Sequence, residues 1–115
     1  MISKAHRFNG LRALDFVYKT GKVARGPLFA VKAAPNPRRQ SYRAAVVISK
    51  KVHKSAVARN RMRRRLYESL QSLGIEINGP YDIVLTVFSD KLAGASPAEL
   101  SGQLKNQLQK LGIIK

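Results

Sequence analysis

The chain has no cysteine and no tryptophan, only two histidines, and 6 acidic residues against 22 Lys and Arg. Without cysteine there can be neither a disulfide nor a thiolate metal site, so stability has to come from packing. His6 and His53 are too few for a zinc site that lacks sulfur ligands, and the acids are scattered, so the residues imply no metal bound by the protein alone. Nothing in the opening MISKAHRFNG resembles the apolar core of a secretion signal, and no run approaches the ~20 residues of a membrane-spanning helix. The expectation is a soluble cytoplasmic protein with no membrane partner. At 115 residues the chain reads as one domain, 1–115, able to bury about two-thirds of its unfolded surface.

What is abundant is positive charge, and it is unevenly placed. Residues 1–65 hold 18 basic side chains and one acid, Asp15, whereas residues 66–115 hold 4 bases and 5 acids, so the whole net charge of +16 lies in the first part. Self-repulsion of that size works against folding, and its natural use is a polyanionic partner. A merely solubilising surface would interleave both signs.

No repeat or low-complexity segment interrupts the chain, and Pro35-Asn36-Pro37-Arg38-Arg39 reads as a loop. Leu11, Leu14 and Tyr18 recur at helical spacing up to Lys19, with Gly21 placed as a stop. Leu28–Ala33 and Tyr42–Ser49 carry the small, aromatic and β-branched residues of strands and are expected to pair as a hairpin. Residues 20–33 leave room for a third strand. In the second strand, Arg43, Ala45, Val47 and Ser49 share one face and Tyr42, Ala44, Val46 and Ile48 the other.

Ser55 is placed as the N-cap of a long helix reaching about Leu73, with Met62, Leu66, Leu70 and Leu73 as its apolar stripe and Gly74 as its stop. Asn60, Arg64 and Tyr67 lie opposite that stripe, and Arg59, Arg61, Arg63 and Arg65 flank it. Tyr81–Phe88 is almost uniformly apolar, as a buried strand should be, and parallel pairing with an earlier strand is expected because it follows a helix. Ser96, Pro97 and Glu99 form a helix-entry signal, after which Leu100, Leu104, Leu108 and Leu111 face the sheet. The fold class is therefore α+β, a two-layer sandwich of a small mixed sheet with helices packed on it, in the order α-β-β-(β)-α-β-α.

The chemistry concentrates in residues 50–65, KKVHKSAVARNRMRRR, with eight bases in sixteen residues and no acid. Facing phosphates, such a row neutralises charge and releases counterions; engagement of about six phosphates gives an affinity falling with roughly the fourth to fifth power of salt. Five of the bases are arginines, whose guanidinium forks bridge phosphate oxygens at two points or stack on bases. Asn60 adds a neutral donor and acceptor that could reach a base edge, a sugar hydroxyl or a metal-bound water. Read alone, Asn60 is equally well a solvated polar residue.

At this point the sequence resembles the bacterial ribonuclease P protein family. Ser49-Lys50-Lys51, a short turn, then Arg59-Asn60-Arg61-Met62-Arg63-Arg64 with Leu66 and Glu68 behind them look like its signature. Leu14 to Gly21 is similar to the family's first helix, and the segments around Phe29 and Tyr81–Val87 fall where it has strands, so the likeness covers nearly the whole chain. It implies a fold like the second domain of ribosomal protein S5, and a subunit of an endoribonuclease whose catalyst is RNA. That RNA would hold the Mg2+ of the holoenzyme, and the chain would contribute no catalytic residue.

The resemblance further implies two surfaces. Lys50, Lys51, Arg59, Asn60, Arg61, Arg63, Arg64 and Arg65 would face the catalytic RNA near its active core and help place magnesium through bound water. Leu14 and Tyr18 on the first helix, with Phe29, Lys32 and Arg43 on the strands, would line a cleft for the single-stranded 5′ leader of precursor tRNA, where aromatic faces and a cationic track suit unstacked bases. Leu14 departs from an aromatic common in the family, and Tyr67 stands where arginine is frequent, with Arg65 an extra cation beside it. No obligate protein partner is implied.

Without the resemblance, Tyr18 and Phe29 read as core, Phe8, Phe16, Tyr81 and Phe88 as core or rim, His53 as a loop residue, and Asp15, Glu68, Asp82 and Asp90 as helix, turn or surface residues. The competing functional class is a ribosomal protein or RNA chaperone using the same charge for structural binding. A DNA-binding helix-turn-helix fits less well, because a strand precedes the basic helix where a first helix is required. A protein-only nuclease lacks a pair of His or carboxylate groups to act as its centre.

Overall fold

A computed structural model describes residues 11–36, 41–77 and 79–114, and for residues 11–15 and Ile75 it describes the backbone only. Helix α1 (Leu11–Thr20) leads into strands β1 (Lys22–Arg25), β2 (Phe29–Pro35) and β3 (Arg43–Ile48). Helix α2 (Ala56–Leu73), strand β4 (Tyr81–Val87) and helix α3 (Pro97–Lys110) follow, with short 3-10 turns at Gly74–Glu76 and Asp90–Gly94. The element order is the expected one, and the third strand is β1.

The strands form one sheet in the order β1-β2-β4-β3. β4 runs antiparallel to β2 and parallel to β3, so the parallel partner expected for β4 is β3. The hairpin expected between Leu28–Ala33 and Tyr42–Ser49 does not form, because β4 lies between those strands. The hairpin of the fold is β1 with β2. Strand composition explains the order: β4 is buried along nearly its whole length and takes an inner position, whereas β1, KVAR, is mostly exposed and takes an edge.

Each face of the sheet meets a different layer. Phe29, Val31 and Ala33 of β2, Tyr42 just before β3 with Ala44, Val46 and Ile48 of β3, and Ile83, Leu85 and Val87 of β4 join the stripes of α2 and α3 in the main core. Met62, Leu66, Leu70, Leu100, Leu104 and Leu108 are fully buried there, each stabilising the fold by about 1.5–3 kcal/mol. The opposite face is covered in part by α1, whose Val17 packs on Ala45, Val47 and Val84. That layer is thin, and it leaves a groove beside the helix.

Local signals account for the helix ends. Ser55 Oγ accepts from the Ala58 N–H (3.2 Å) and Ser96 Oγ from the Glu99 N–H (3.1 Å), each satisfying a free donor of the first turn. At the end of α1 the Gly21 N–H donates to Val17 O at 2.7 Å, and a Cβ at Gly21 would lie 2.5 Å from that oxygen and 3.0 Å from Ala33 O. Only glycine lets the helix turn directly into the sheet there.

Tyr67 is not on the outer face of α2. It is buried, and its hydroxyl accepts from the Val46 N–H at 3.3 Å. β3 is an edge strand with outward-pointing donors, and the ring is long enough to reach round the helix and satisfy one of them.

Candidate nucleic-acid interface

The turn from β3 to α2 carries Lys50 and Lys51, both exposed, and is closed by the Val52 N–H donating to Ser49 O. His53 Nδ1 accepts from the Ser55 N–H (3.1 Å), so His53 shapes the helix entry. Arg59 braces the same turn, its Nη1 donating to the carbonyls of His53 (2.8 Å) and Lys54 (3.0 Å). Along α2, Asn60, Arg61 and Arg64 are exposed, and Arg63 is half-buried with its Nη1 donating to Asn60 Oδ1 at 2.7 Å.

Arg65 is directed elsewhere. Its Nη1 donates to the carbonyls of Leu92 (3.0 Å) and Ala93 (2.8 Å), and its Nη2 to the carbonyl of Ala95. These are carbonyls in and just after the 3-10 turn before α3, and a planar guanidinium can meet several at once. The arginine run is thus divided: Arg61 and Arg64 face outward, Arg59 and Arg65 tie the helix to its neighbours, and Arg63 is bonded to Asn60.

The second group of residues separates more sharply. Lys32, with Val23 beside it on β1 and Val84 beside it on β4, lies on the α1 side of the sheet. Its Nζ donates to Tyr18 O at 2.6 Å, a terminal carbonyl of α1 where a cation is also favoured by the helix dipole. The same ammonium sits 5.7 Å from the centre of the Tyr18 ring, within cation–π range. Tyr18 remains 43 % exposed.

Phe29 is not in that cleft. It is 0 % exposed and packs in the main core on the α2 and α3 side. The reason is the two-residue period of a strand: Phe29 is three positions from Lys32 and must point to the other face. Arg43 lies on the cleft face, but its Nε and Nη2 each donate at 2.9 Å to the two carboxylate oxygens of Asp82, its neighbour in the β3–β4 register. Hydrogen bonding to Asp82, helped by its charge, holds the Arg43 guanidinium protonated above its ordinary range against the opposing effect of burial. Asp82 is 1 % exposed and also accepts from Asn36 Nδ2, so it is an internal ion-pair partner and not a surface residue. Leu14 lies on α1, and its side chain is outside the described residues.

Further side chains, not assigned to the cleft from the sequence, lie around α1 and on this face of the sheet. Phe88, just past β4, is 48 % exposed, and Phe16, 40 % exposed, is two residues from Tyr18 and so lies on the other flank of α1. Ala30, Thr86 and Val47 form one row across β2, β4 and β3, and Val47 packs on the α1-side cluster, which puts the row on the groove face. Their strand alternation was visible in the sequence, but their grouping follows from β4 lying between β2 and β3. Among the described residues no group of three or more His, Asp or Glu side chains is placed to hold a metal ion, and no helix is long and apolar enough to cross a membrane.

Comparison with known proteins gives the family and supports the fold. The family model for Ribonuclease P matches residues 2–112. The ribonuclease P protein component of Synechococcus elongatus is 31 % identical over an alignment covering 98 % of this chain and 95 % of that protein. The corresponding component of Thermus brockianus is 39 % identical over 92 % of this chain and 60 % of its own length. Among solved structures, the Staphylococcus aureus RNase P protein superposes with a TM-score of 0.84, covering 97 % of this chain and all of that one at 21 % identity. The reading as a ribosomal protein or RNA chaperone is set aside by these matches. The chain belongs to the ribonuclease P protein family, as a protein subunit of the RNA-based endoribonuclease that removes the 5′ leader of precursor tRNA.

Proposed function

We propose that the protein serves this enzyme through two separate surfaces. The outer face of α2, with Asn60, Arg61, Arg63 and Arg64 and the adjoining Lys50 and Lys51, binds the catalytic RNA. The groove between α1 and the sheet, with Tyr18 and Lys32 at its centre and Val23, Thr86 and Phe88 around them, binds the single-stranded leader of precursor tRNA. The carrying observation is the contrast between two kinds of exposed surface, one of outward guanidinium groups on a rigid helix and one of a half-exposed tyrosine ring beside an ammonium.

The chemistry of the two surfaces differs accordingly. Arginines on α2 neutralise phosphates of a folded RNA and release counterions. In the groove, Tyr18 offers a face for an unstacked base, and Lys32 adds a cation beside it without requiring a particular sequence. Arg59 and Arg65 hold α2 in place, and Arg43 serves the internal pair with Asp82. Magnesium, held by the RNA, supplies water activation and stabilisation of the leaving oxygen. The protein adds substrate affinity and lowers the magnesium concentration at which the RNA works.

Leader removal measured at low magnesium, by the RNA alone and with the protein, tests this reading. The protein should raise the rate, and Tyr18→Ala should weaken binding of leader-bearing substrate by about tenfold while sparing mature tRNA. No gain from added protein, or equal losses with and without a leader, would overturn it.

A further inference from the structure

The short bond between Arg63 and Asn60 determines which end of the Asn60 amide is available. A guanidinium has donors and no acceptor, so the amide atom facing Arg63 Nη1 at 2.7 Å is the oxygen, Oδ1. The amide is planar, and with Oδ1 turned toward half-buried Arg63, the Nδ2 group of exposed Asn60 points away from it. Asn60 is therefore not the ambivalent donor and acceptor that its sequence position implies.

Its neighbours on the outer face, Arg61 and Arg64, are exposed donors as well. The exposed acid of that helix, Glu68, lies two turns further along. A hydrated magnesium ion presents the protons of its water molecules and needs acceptors. Around Asn60 the helix offers N–H groups, which suit the oxygens of RNA and do not suit metal-bound water.

Resting on the reading of α2 as the RNA-binding face, we propose that Arg63 is a positioning residue for Asn60, fixing its amide as a donor to an acceptor atom of the catalytic RNA, either a phosphate oxygen or a base-edge oxygen or nitrogen. Asn60 then adds a directional, uncharged contact in a field of charges. Phosphate and base edge share the acceptor chemistry, and they are separated by whether swapping the nearby bases changes the Asn60 contribution.

The test is a mutant cycle in affinity for the catalytic RNA, run over a salt series with urea unfolding to confirm each variant is folded. Asn60→Ala should weaken binding about tenfold with no change in the salt slope. Arg63→Ala should weaken it further and lower the slope by about one. The double variant should bind as Arg63→Ala does, within about twofold, because Asn60 without Arg63 has lost its orientation. Asn60→Asp keeps an oxygen for Arg63 and turns the outward donor into an acceptor, so it should bind more weakly than Asn60→Ala at every magnesium concentration.

Independent, multiplying losses would overturn the positioning role, and Asn60→Asp equal to or tighter than the parent, with a gain that grows with magnesium, would overturn the donor assignment. Failure of the underlying reading is distinguishable: in that case Arg64→Ala would bind the RNA as the parent does.

Discussion

Phe29 and Tyr42 show how a single side chain's surroundings fix what its replacement will do. Phe29 is fully enclosed between the sheet and α3, and the buried Gln107 amide donates to its backbone carbonyl at 3.2 Å. Phe29→Ala should lower unfolding free energy by about 3–5 kcal/mol, read from urea melts, and leave leader affinity of the folded fraction unchanged. A selective loss of leader binding would return Phe29 to the cleft. Tyr42 is buried against Gly74 at the end of α2, and burial pushes its phenol above the usual range. A raised value in the folded state means that the unfolded chain releases this proton first, so the contribution is complete below about pH 10 and is lost as pH rises beyond it. Tyr42→Phe should therefore flatten the alkaline fall of stability relative to the parent, measured as unfolding midpoints between neutral and strongly alkaline pH.

At the level of the element, α2 works as a helix with two sets of arginines. One set holds it: Arg59 on the turn that enters it and Arg65 on the carbonyls of Leu92, Ala93 and Ala95. The other set, Arg61 and Arg64, extends outward. Substitutions one residue apart should consequently fail in different assays. Arg65→Ala should cost about 1–3 kcal/mol of stability through the loss of its hydrogen bonds to those carbonyls with little change in the salt slope of RNA binding. Arg64→Ala should leave the melting curve in place, weaken RNA binding about tenfold and reduce the slope by about one. Parallel melts and salt titrations of the two variants decide the matter, and matching behaviour in both would refute the division. Tyr67, two residues beyond Arg65, has a related task, meeting the free edge of β3 through the Val46 N–H.

For the molecule as a whole, charge and fold are arranged so that the cationic excess lies in residues 1–65, from the start of the chain through the first half of α2, while the remainder is close to neutral. The two candidate RNA surfaces are kept apart, one on the outside of α2 and one on the opposite layer between α1 and the sheet. Holoenzyme assembly and leader recognition should then be separable. Arg64→Ala should be rescued by raising the concentration of protein over catalytic RNA, whereas Tyr18→Ala should persist at saturating protein and vanish with substrates lacking a leader. Processing assays at varied protein concentration check this, and identical concentration dependence of the two defects would show the surfaces acting as one.

The sequence by itself determined the elements and the partner class. The apolar stripe of α2, the uniformly apolar β4, the entry signals at Ser55 and Ser96 and the arginine run are all local patterns, and local periodicity is legible without a fold. Even the opposite facing of Phe29 and Lys32 was present in the two-residue period of β2. Only the tertiary structure decided that β4 separates β2 from β3, since strand partners are chosen by which surfaces can be buried together and not by proximity in the chain. It also decided which cations remain available. Arg65 and Arg43 look like their neighbours in sequence, but the carbonyls and the carboxylate that hold them come from residues 27 to 39 positions away, and a hydrogen bond at that separation exists only once the chain has folded.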